Sequence, residues 1–334
     1  MPLVSIIVPC YNEQATIRLL LDAIYQQGFP SEEMEVIIAD GLSTDCTRQE
    51  IAAFQDQHPQ LHVKLVDNPK RAIPAALNSA LDAAGGEYII RLDAHCTPRP
   101  DYVARCVADL EAGYGDNVGG VWEIRPGGAG WMARAIAVAA AHPLGVGDAR
   151  YRYTDQAGEV DTVPFGAFRR QVFERVGRFD ESLLTNEDYE FNARLRQQGG
   201  KIWIDPTIRS IYFARANLAA LARQYRRYGF WKWQMLRRYP KTLRWRQALP
   251  PLFVLSLIGL LVLSPWWRPA GVLLGIEVLL YGIALLLGTL PFALREKDAA
   301  LVVGVPLAIA TMHLSWGMGF LWSVIQSVLE RATK

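Results

Sequence analysis

The C-terminal third of this 334-residue chain contains three long stretches with almost no charge. Residues 248–264 are apolar and uncharged, residues 270–294 are interrupted only by Glu277, and residues 299–326 contain no Asp, Glu, Lys or Arg. A bilayer core about 30 Å thick takes about 20 helical residues. The second and third runs meet that length and the first approaches it. A helical hairpin buried in a soluble protein is the alternative, but runs this long and uncharged are hard to bury in a chain of this size. The separators are short, Pro265 to Pro269 and Arg295 to Asp298. The expectation is three transmembrane helices over residues 248–326 and a tail at residues 327–334.

Charge divides the chain at the same place. Residues 1–205 hold 29 acidic and 19 basic residues, a net of −10, whereas residues 206–334 hold 4 acidic and 16 basic, a net of +12. Such asymmetry marks a segment that meets a negative surface. Eleven Lys or Arg and no acid lie between Arg209 and Arg246. By the positive-inside rule that flank, with an interfacial linker over residues 231–247, is expected on the cytoplasmic side. Three spans then put Arg268 outside, Arg295 and Lys297 inside, and the tail outside. Trp245, Trp266 and Trp267 fall where interface residues gather. Anionic lipid headgroups suit the basic segment, and with a membrane beside it no nucleic-acid partner is expected. Glu277 within a span is expensive, which makes it a hint of a helix contact or function.

Other features exclude classes. Cys10, Cys46, Cys96 and Cys106 have no Cys-x-x-Cys spacing, so neither a zinc module nor a disulfide scaffold is expected. No basic segment or cleavage site precedes the apolar run at Leu3, so no signal peptide is expected and residues 1–205 are placed in the cytoplasm. Trp131 to Ala141 is apolar apart from Arg134, which suits an amphipathic helix lying on the membrane, followed by a loop over the site.

The first hundred residues alternate between strand and helix patterns. Strands are read at Leu3–Pro9, Glu35–Asp40, His62–Asp67 and Tyr88–Asp93, with helices at Ala15–Gln27, Cys46–Gln57 (Ser43 or Thr44 as its cap) and Ile73–Ala84 between them. This order predicts a parallel, doubly wound α/β sheet, whose ligands bind beyond the carboxyl ends of the strands. Tyr11, Asn12, Glu13, Asp40, Asp67 and Asp93 all fall at such ends. Each acid alone reads equally as a helix cap; together they point to a site for a cation or a sugar nucleotide. Asp93-Ala94-His95 sets two liganding groups at i and i+2 where a strand turns, a pairing suited to Mg²⁺ or Mn²⁺. Glu187 and Asp188 precede a helical pattern from Tyr189 to Gln198, where the macrodipole alone would account for one acid.

These segments resemble the family 2 glycosyltransferases of the GT-A fold. Val8-Pro9-Cys10-Tyr11-Asn12-Glu13 is similar to their opening motif, and Ala39-Asp40-Gly41-Leu42-Ser43-Thr44-Asp45 to their second-strand Asp motif. Asp93-Ala94-His95 stands in the place of their Asp-x-Asp triplet, and Asn186-Glu187-Asp188 resembles their Glu-Asp motif. Order and spacing agree over residues 1–230, the extent expected for a cytoplasmic catalytic domain. The Asp-Ala-His variant and the hydrophobic C-terminal region resemble the membrane-bound succinoglycan-type glucosyltransferases.

The resemblance implies a role for each position. Pro9, Tyr11, Glu13 and Asp40 would hold the nucleoside, with Asp40 accepting from the base, and Asp67 and Arg71 would border that pocket. Asp93 and His95 would hold a divalent cation, Mn or Mg. Asp188 would be the general base and Glu187 would position the acceptor. Gln224, Arg227 and Tyr228 resemble a Gln-x-x-Arg-Trp motif, with Tyr in place of Trp, and Arg227 would face the diphosphate. Val160 to Phe168 would line the acceptor side, or equally form a buried strand and turn. Trp231 and Trp233 suit stacking on a sugar, or anchoring at the interface.

The implied reaction is inverting transfer from a nucleotide-diphosphate sugar, UDP-glucose among the candidates, to a polyprenyl-linked or other membrane acceptor in polysaccharide synthesis. A divalent ion and arginines neutralise the departing diphosphate. One carboxylate takes the acceptor proton. A processive synthase and a catalytically silent membrane scaffold stand as alternatives, and an oligomer is compatible with either.

Overall fold

The computed structural model describes residues 2–332. Its N-terminal part follows the alternation read above: β1 (Val4–Cys10), α1 (Ile17–Tyr25), β2 (Met34–Asp40), α2 (Thr47–Gln57), β3 (His62–Asp67), α3 (Ile73–Ala83) and β4 (Tyr88–Arg91). These four strands pair in parallel, in register from Val4 opposite Met34 to Cys10 opposite Asp40. Because β-strand side chains alternate between faces, Ile6, Val8, Val36 and Ile38 pack with α1 and α2 around Leu20, Leu21, Ile51 and Phe54. Ile7, Ile37 and Ala39 pack on the other face with Ala76, Leu77 and Ala80 of α3. Burial on both faces is what a near-continuous Val/Ile run requires.

Beyond β4 the pairing changes. Next come β5 (Thr97–Pro98), α4 (Tyr102–Glu111), β6 (Asn117–Arg125), α5 (Trp131–Ala141), α6 (Pro143–Val146), β7 (Gly158–Glu159), β8 (Ala167–Arg169), α7 (Gln171–Val176), α8 (Glu187–Gln197) and β9 (Ile202–Phe213). The sheet order is β3-β2-β1-β4-β8-β6-β9-β5, with β7 against β9, so the parallel half continues into a second half. There β4–β8, β6–β8, β5–β9 and β7–β9 all pair antiparallel. The strand–helix rhythm used to read the sequence does not extend into this half, where β5, β7 and β8 have only two or three residues.

The close approach of β6 to β9 is made at a glycine. A Cβ on Gly120 would lie 1.8 Å from the Ile208 carbonyl oxygen, and backbone cannot yield as a side-chain tip does. Gly120→Ala is expected to destabilise the protein by about 1–3 kcal/mol through overpacking. The check is a lowered midpoint in thermal unfolding of the purified protein, with the exposed Gly28→Ala, where a Cβ meets only an ordinary 3.7 Å contact, as the control.

The chain continues with α9 (Leu218–Leu236), α10 (Trp245–Leu263), α11 (Arg268–Glu296) and α12 (Ala300–Ala332). The last three are long and apolar enough to cross a membrane, and α5 is a shorter apolar helix. Contacts group the chain into two compact units. The first comprises Met1–Glu123 and Arg150–Tyr212; the second comprises Ile124–Ala149 and Phe213–Lys334. The segment carrying α5 and α6 thus interrupts the first unit, and α9 groups with the apolar helices. Within the second unit Asp148 is held by Arg244, at 2.9 Å, and by Arg246, and Ser256 donates to Glu277 at 2.9 Å.

Candidate active site

The first three strand ends are laced together by short polar side chains. The Asn12 backbone N–H donates to Ser43 Oγ (2.8 Å), and the Glu13 N–H to Thr47 Oγ1 (2.8 Å). The Thr44 N–H in turn donates to Asn12 Oδ1 (2.9 Å). Asn12, Leu42 and Arg71 all sit at positive φ, of 54°, 59° and 51°. Three non-glycine residues in that sparsely populated region cluster at one edge of the sheet. The helix after this loop is capped by neither Ser43 nor Thr44: its N-cap is Cys46, and Asp45 Oδ1 instead accepts from the Thr47 N–H at 3.0 Å. Pro9 lies in β1 opposite Ala39, and the half-exposed Tyr11 ring has the Arg71 guanidinium 5.4 Å from its centroid. Arg71 also donates to the Gly41 carbonyl at 3.0 Å.

Two of the strand-end acids, Asp40 and Asp67, are engaged by the chain's own groups. Asp40 is fully buried, and its carboxylate accepts from Ser43 Oγ (2.5 Å), the Ser43 N–H (3.0 Å) and Arg48 Nε (2.6 Å). Asp40 is thus fixed in place by three donors from its own chain. Arg48 reaches back from α2 and also pairs with the exposed Asp67 at 2.5 Å. Those two hydrogen bonds hold the Arg48 guanidinium above its ordinary pKa. The sequence reading assigned Arg48 no role; its signal was one cation in the first turn of a helix that starts between two strand-end acids.

A second assembly forms at the end of β4. The Asp93 carboxylate receives Arg91 Nε and Nη2, each at 3.2 Å, and the same Nη2 donates to Glu187 Oε1 at 3.0 Å. Arg91 and Glu187 are both buried, with side chains 8% and 6% exposed. Arg91 thus ties the Asp93 turn to the N-terminus of α8, which opens on Glu187 and Asp188. Asn186 before them adopts φ 70°. Asp188 is half-buried and accepts from the Tyr189 N–H at 2.7 Å, a short-range bond that leaves its second oxygen available. Burial raises the Glu187 carboxyl above its ordinary range; the Arg91 charge opposes this and the neighbouring Asp188 adds to it. Burial disfavours the Arg91 cation, yet Asp93 and Glu187 outweigh that cost and keep it charged. Among the described residues its Nη1 is buried without a partner. Sequence reading passed over Arg91 as well, although a cation inside the apolar strand Tyr88-Ile89-Ile90 is a signal in itself.

His95 Nδ1 lies 3.0 Å from Glu13 Oε1, which joins the first assembly to the second. Burial pushes the Glu13 carboxyl up, but bonds from His95 and Thr16 more than offset this and leave it below its ordinary value. Among the described residues no three His, Cys, Asp or Glu groups converge closely enough to hold a metal by themselves. Gln224, Arg227 and Tyr228 lie on α9 in the second compact unit, where Gln224 donates to the Tyr228 hydroxyl at 3.0 Å. The Val160–Phe168 stretch is a buried loop entering β8, with Asp161 accepting from the Tyr189 hydroxyl at 3.0 Å.

The comparison with known families settles the class. The model for glycosyl transferase family 2 matches residues 5–177, and these residues contain β1 through α7 with Asp40, Asp93 and His95. The chain belongs to glycosyl transferase family 2. It is 33% identical over 321 residues to the succinoglycan biosynthesis protein ExoA of Rhizobium meliloti (strain 1021), covering 94% of this chain and 93% of that one. It is 26% identical over 336 residues, 98% of each chain, to a dolichyl N-acetyl-alpha-D-glucosaminyl phosphate 3-beta-D-2,3-diacetamido-2,3-dideoxy-beta-D-glucuronosyltransferase of Methanococcus voltae. Mannosyltransferase PcManGT from Pyrobaculum calidifontis, solved with GDP-Man and Mn²⁺, superposes with a TM-score of 0.66. It is 22% identical and covers 96% of this chain and 87% of its own. Residues 1–349 of Staphylococcus aureus TarS, solved with UDP-GlcNAc, superpose with a TM-score of 0.52 at 17% identity, covering 93% of this chain and 91% of that one. The fold is GT-A, and this family 2 member is a glycosyltransferase.

Proposed function

We propose that this glycosyltransferase moves one sugar, with inversion, from a nucleotide-diphosphate sugar to a lipid-linked saccharide at the cytoplasmic face of a membrane. The observation that carries the reading is Arg91, which joins the Asp93 turn to the Glu187–Asp188 helix start inside a family 2 domain. One buried cation thereby sets the distance between the side expected to hold the donor and the side expected to hold the base.

Asp188 is the base in this reading. It is the half-exposed acid of the pair, so it can reach an acceptor hydroxyl and take its proton during attack. Glu187, buried on Arg91, fixes the helix start and so orients its neighbour. Tyr11 and Arg71 form the open side of the nucleoside pocket, with Pro9 in its floor. Asp40 and Asp67 act through Arg48, which they hold in place. Glu13 orients His95. Arg227, with Gln224 and Tyr228, contributes to diphosphate binding. Attack on an α-linked donor from the opposite face, with a single base, gives a β-linked product.

Asp93 and His95 fit a divalent cation shared with the substrate. Mg²⁺ and Mn²⁺ sites commonly use one or two protein groups and complete their shell with phosphate oxygens and water. That no third protein ligand stands close among the described residues is compatible with that arrangement. When bound, the cation would neutralise charge on the departing diphosphate, and the imidazole favours Mn²⁺ over Mg²⁺. Two relatives support the acceptor class by name. The Methanococcus voltae enzyme is named for a dolichyl-linked sugar. A Campylobacter jejuni relative, 31% identical over 93 residues, is named as acting on a PP-undecaprenol saccharide. UDP is the nucleotide we propose, on the resemblance to succinoglycan-type enzymes.

The test is nucleoside diphosphate release by the detergent-purified protein. It uses a panel of UDP- and GDP-sugars, Mn²⁺ or Mg²⁺, and a membrane lipid extract present or absent. Release from one UDP-sugar, dependent on metal and stimulated by the extract, is expected. Loss on chelation and recovery with Mn²⁺ ahead of Mg²⁺ is expected as well. Label in long polymers would favour a processive synthase. No release and no donor binding would favour the silent scaffold.

A further inference from the structure

Of the three apolar helices, α12 differs from the other two. In its most apolar stretch 44% of residues are buried within the protein, against 11% in α10 and in α11. Its companions are the reason. The second half of α12 runs alongside α9 with the backbones in direct contact. A Cβ on Gly229 would lie 2.0 Å from the Trp316 carbonyl oxygen, and one on Gly319 would lie 2.1 Å from that of Arg226. The pairing continues in the same direction: Gln234 Nε2 donates to Ser323 Oγ at 2.9 Å, and Trp233 Nε1 donates to Ser327 Oγ at 3.0 Å. The Trp233 and Phe320 rings are 5.5 Å apart. Whatever direction this half of α12 takes relative to a bilayer, α9 takes it too.

That direction cannot be across the membrane. Arg223, Arg226 and Arg227 on α9, and Arg237 and Arg238 at its end, are all exposed, and no acid lies on the helix. A helix 19 residues long, about 28 Å at 1.5 Å per residue, would carry that row of arginines through the hydrocarbon. Charges at such depth are rare and face a protein interior or water-filled cavity; these face outward. The first half of α12 is tied to another helix too short to cross, α5 with 11 residues. A Cβ on Gly304 would lie 2.6 Å from the Ala135 Cβ, and Arg134 pairs with Asp298 at 2.9 Å. Midway along its length α12 also meets α10, where Gly317 lies against Pro250 and Val254, and α11, where the Tyr281 hydroxyl lies 2.9 Å from His313 Nδ1.

We propose that α12 lies in the plane of the membrane interface, packed on α5 and α9, and that only α10 and α11 cross. The exposed residues of α12 form one apolar stripe, Val303, Leu307, Met318, Trp322, Ile325 and Leu329. The stripe takes up acyl chains of the leaflet whose anionic headgroups meet the α9 arginines, as in interfacial amphipathic helices. Two crossings leave the C-terminus on the same side as α9. Three crossings, the number expected from hydropathy, put it on the opposite side. The inference rests on the membrane association proposed above.

The test uses the full chain with Cys46→Ser to remove the exposed native thiol, reconstituted in vesicles of phosphatidylcholine and phosphatidylglycerol. Val303→Cys, Met318→Cys and Leu329→Cys are labelled one at a time with a fluorophore, and quenching by lipids brominated at two depths is measured. The expected result is one shallow depth at all three sites, although residues 303 and 329 are about 39 Å apart along the helix at 1.5 Å per residue. A depth that runs from one interface through the centre to the other would overturn the proposal. Quenching of a Trp267→Cys label with none at the α12 sites would overturn it too while leaving membrane association intact; no quenching anywhere would overturn both. In a bacterial host, a fluorescent protein fused after residue 334 should fluoresce and alkaline phosphatase fused there should be inactive. Active phosphatase would place the C-terminus opposite and refute the in-plane arrangement.

Discussion

Asp188→Asn is expected to lower the turnover of sugar transfer by about 10³-fold, inside the 10²–10⁴ that a positioned base contributes, while donor binding stays within a factor of two or three. The asymmetry follows from the surroundings of the two acids. Glu187 is buried and committed to Arg91 at 3.0 Å, so its oxygens are already in use. Asp188 is half-buried and, among the described residues, accepts one hydrogen bond, from the next backbone N–H, so it alone of the pair can present an oxygen to an acceptor. Asparagine keeps that bond and the shape but has no basic oxygen. Donor affinity, measured by titration calorimetry with Mn²⁺ present, reports whether the pocket survived; radiolabel transfer reports the chemistry. Retained turnover in the variant would remove Asp188 as the base. Lost donor binding would show that it supports the fold of the site instead.

How far the sequence carried depended on periodicity. The strands β1 to β4 and helices α1 to α3 were legible because apolar residues recur with a period of two or 3.6 between polar turns. The apolar runs of α10 to α12 were legible from length and charge alone. In the antiparallel half β5, β7 and β8 were not, because they are two or three residues long and too short for any period to register. The strand-end acids could be placed at one edge of the sheet from β-α-β order. Their partners could not: Arg48 meets Asp67 from 19 residues away, and Arg91 meets Glu187 from 96 away. Pairings at such separation are set by the fold. Hydropathy likewise counts apolar residues without seeing that α12 has a basic helix packed along its second half.

Arg91→Met tests whether those long-range pairs organise the site, and its expected cost is the largest of any single change. Removing the cation leaves Glu187 buried without its counter-charge and frees Asp93 from Arg91. Breaking a buried pair by deleting one partner typically costs about 3–5 kcal/mol, so the catalytic unit should unfold at a clearly lower denaturant concentration. The penalty belongs to the stranded carboxylate. Arg91→Met combined with Glu187→Leu, which removes both charges, is therefore expected to recover most of the lost stability, as replacement of buried ion pairs by apolar groups generally does. Transfer should not recover with it, because Asp188 loses the anchor of its helix start and Asp93 its orientation. A double-mutant cycle on stability, read beside kcat and the donor KM for each variant, separates the two effects. Stability and activity returning together in the double variant would reduce Arg91 to a structural contact. Stability returning alone makes it the residue that positions both sides of the site.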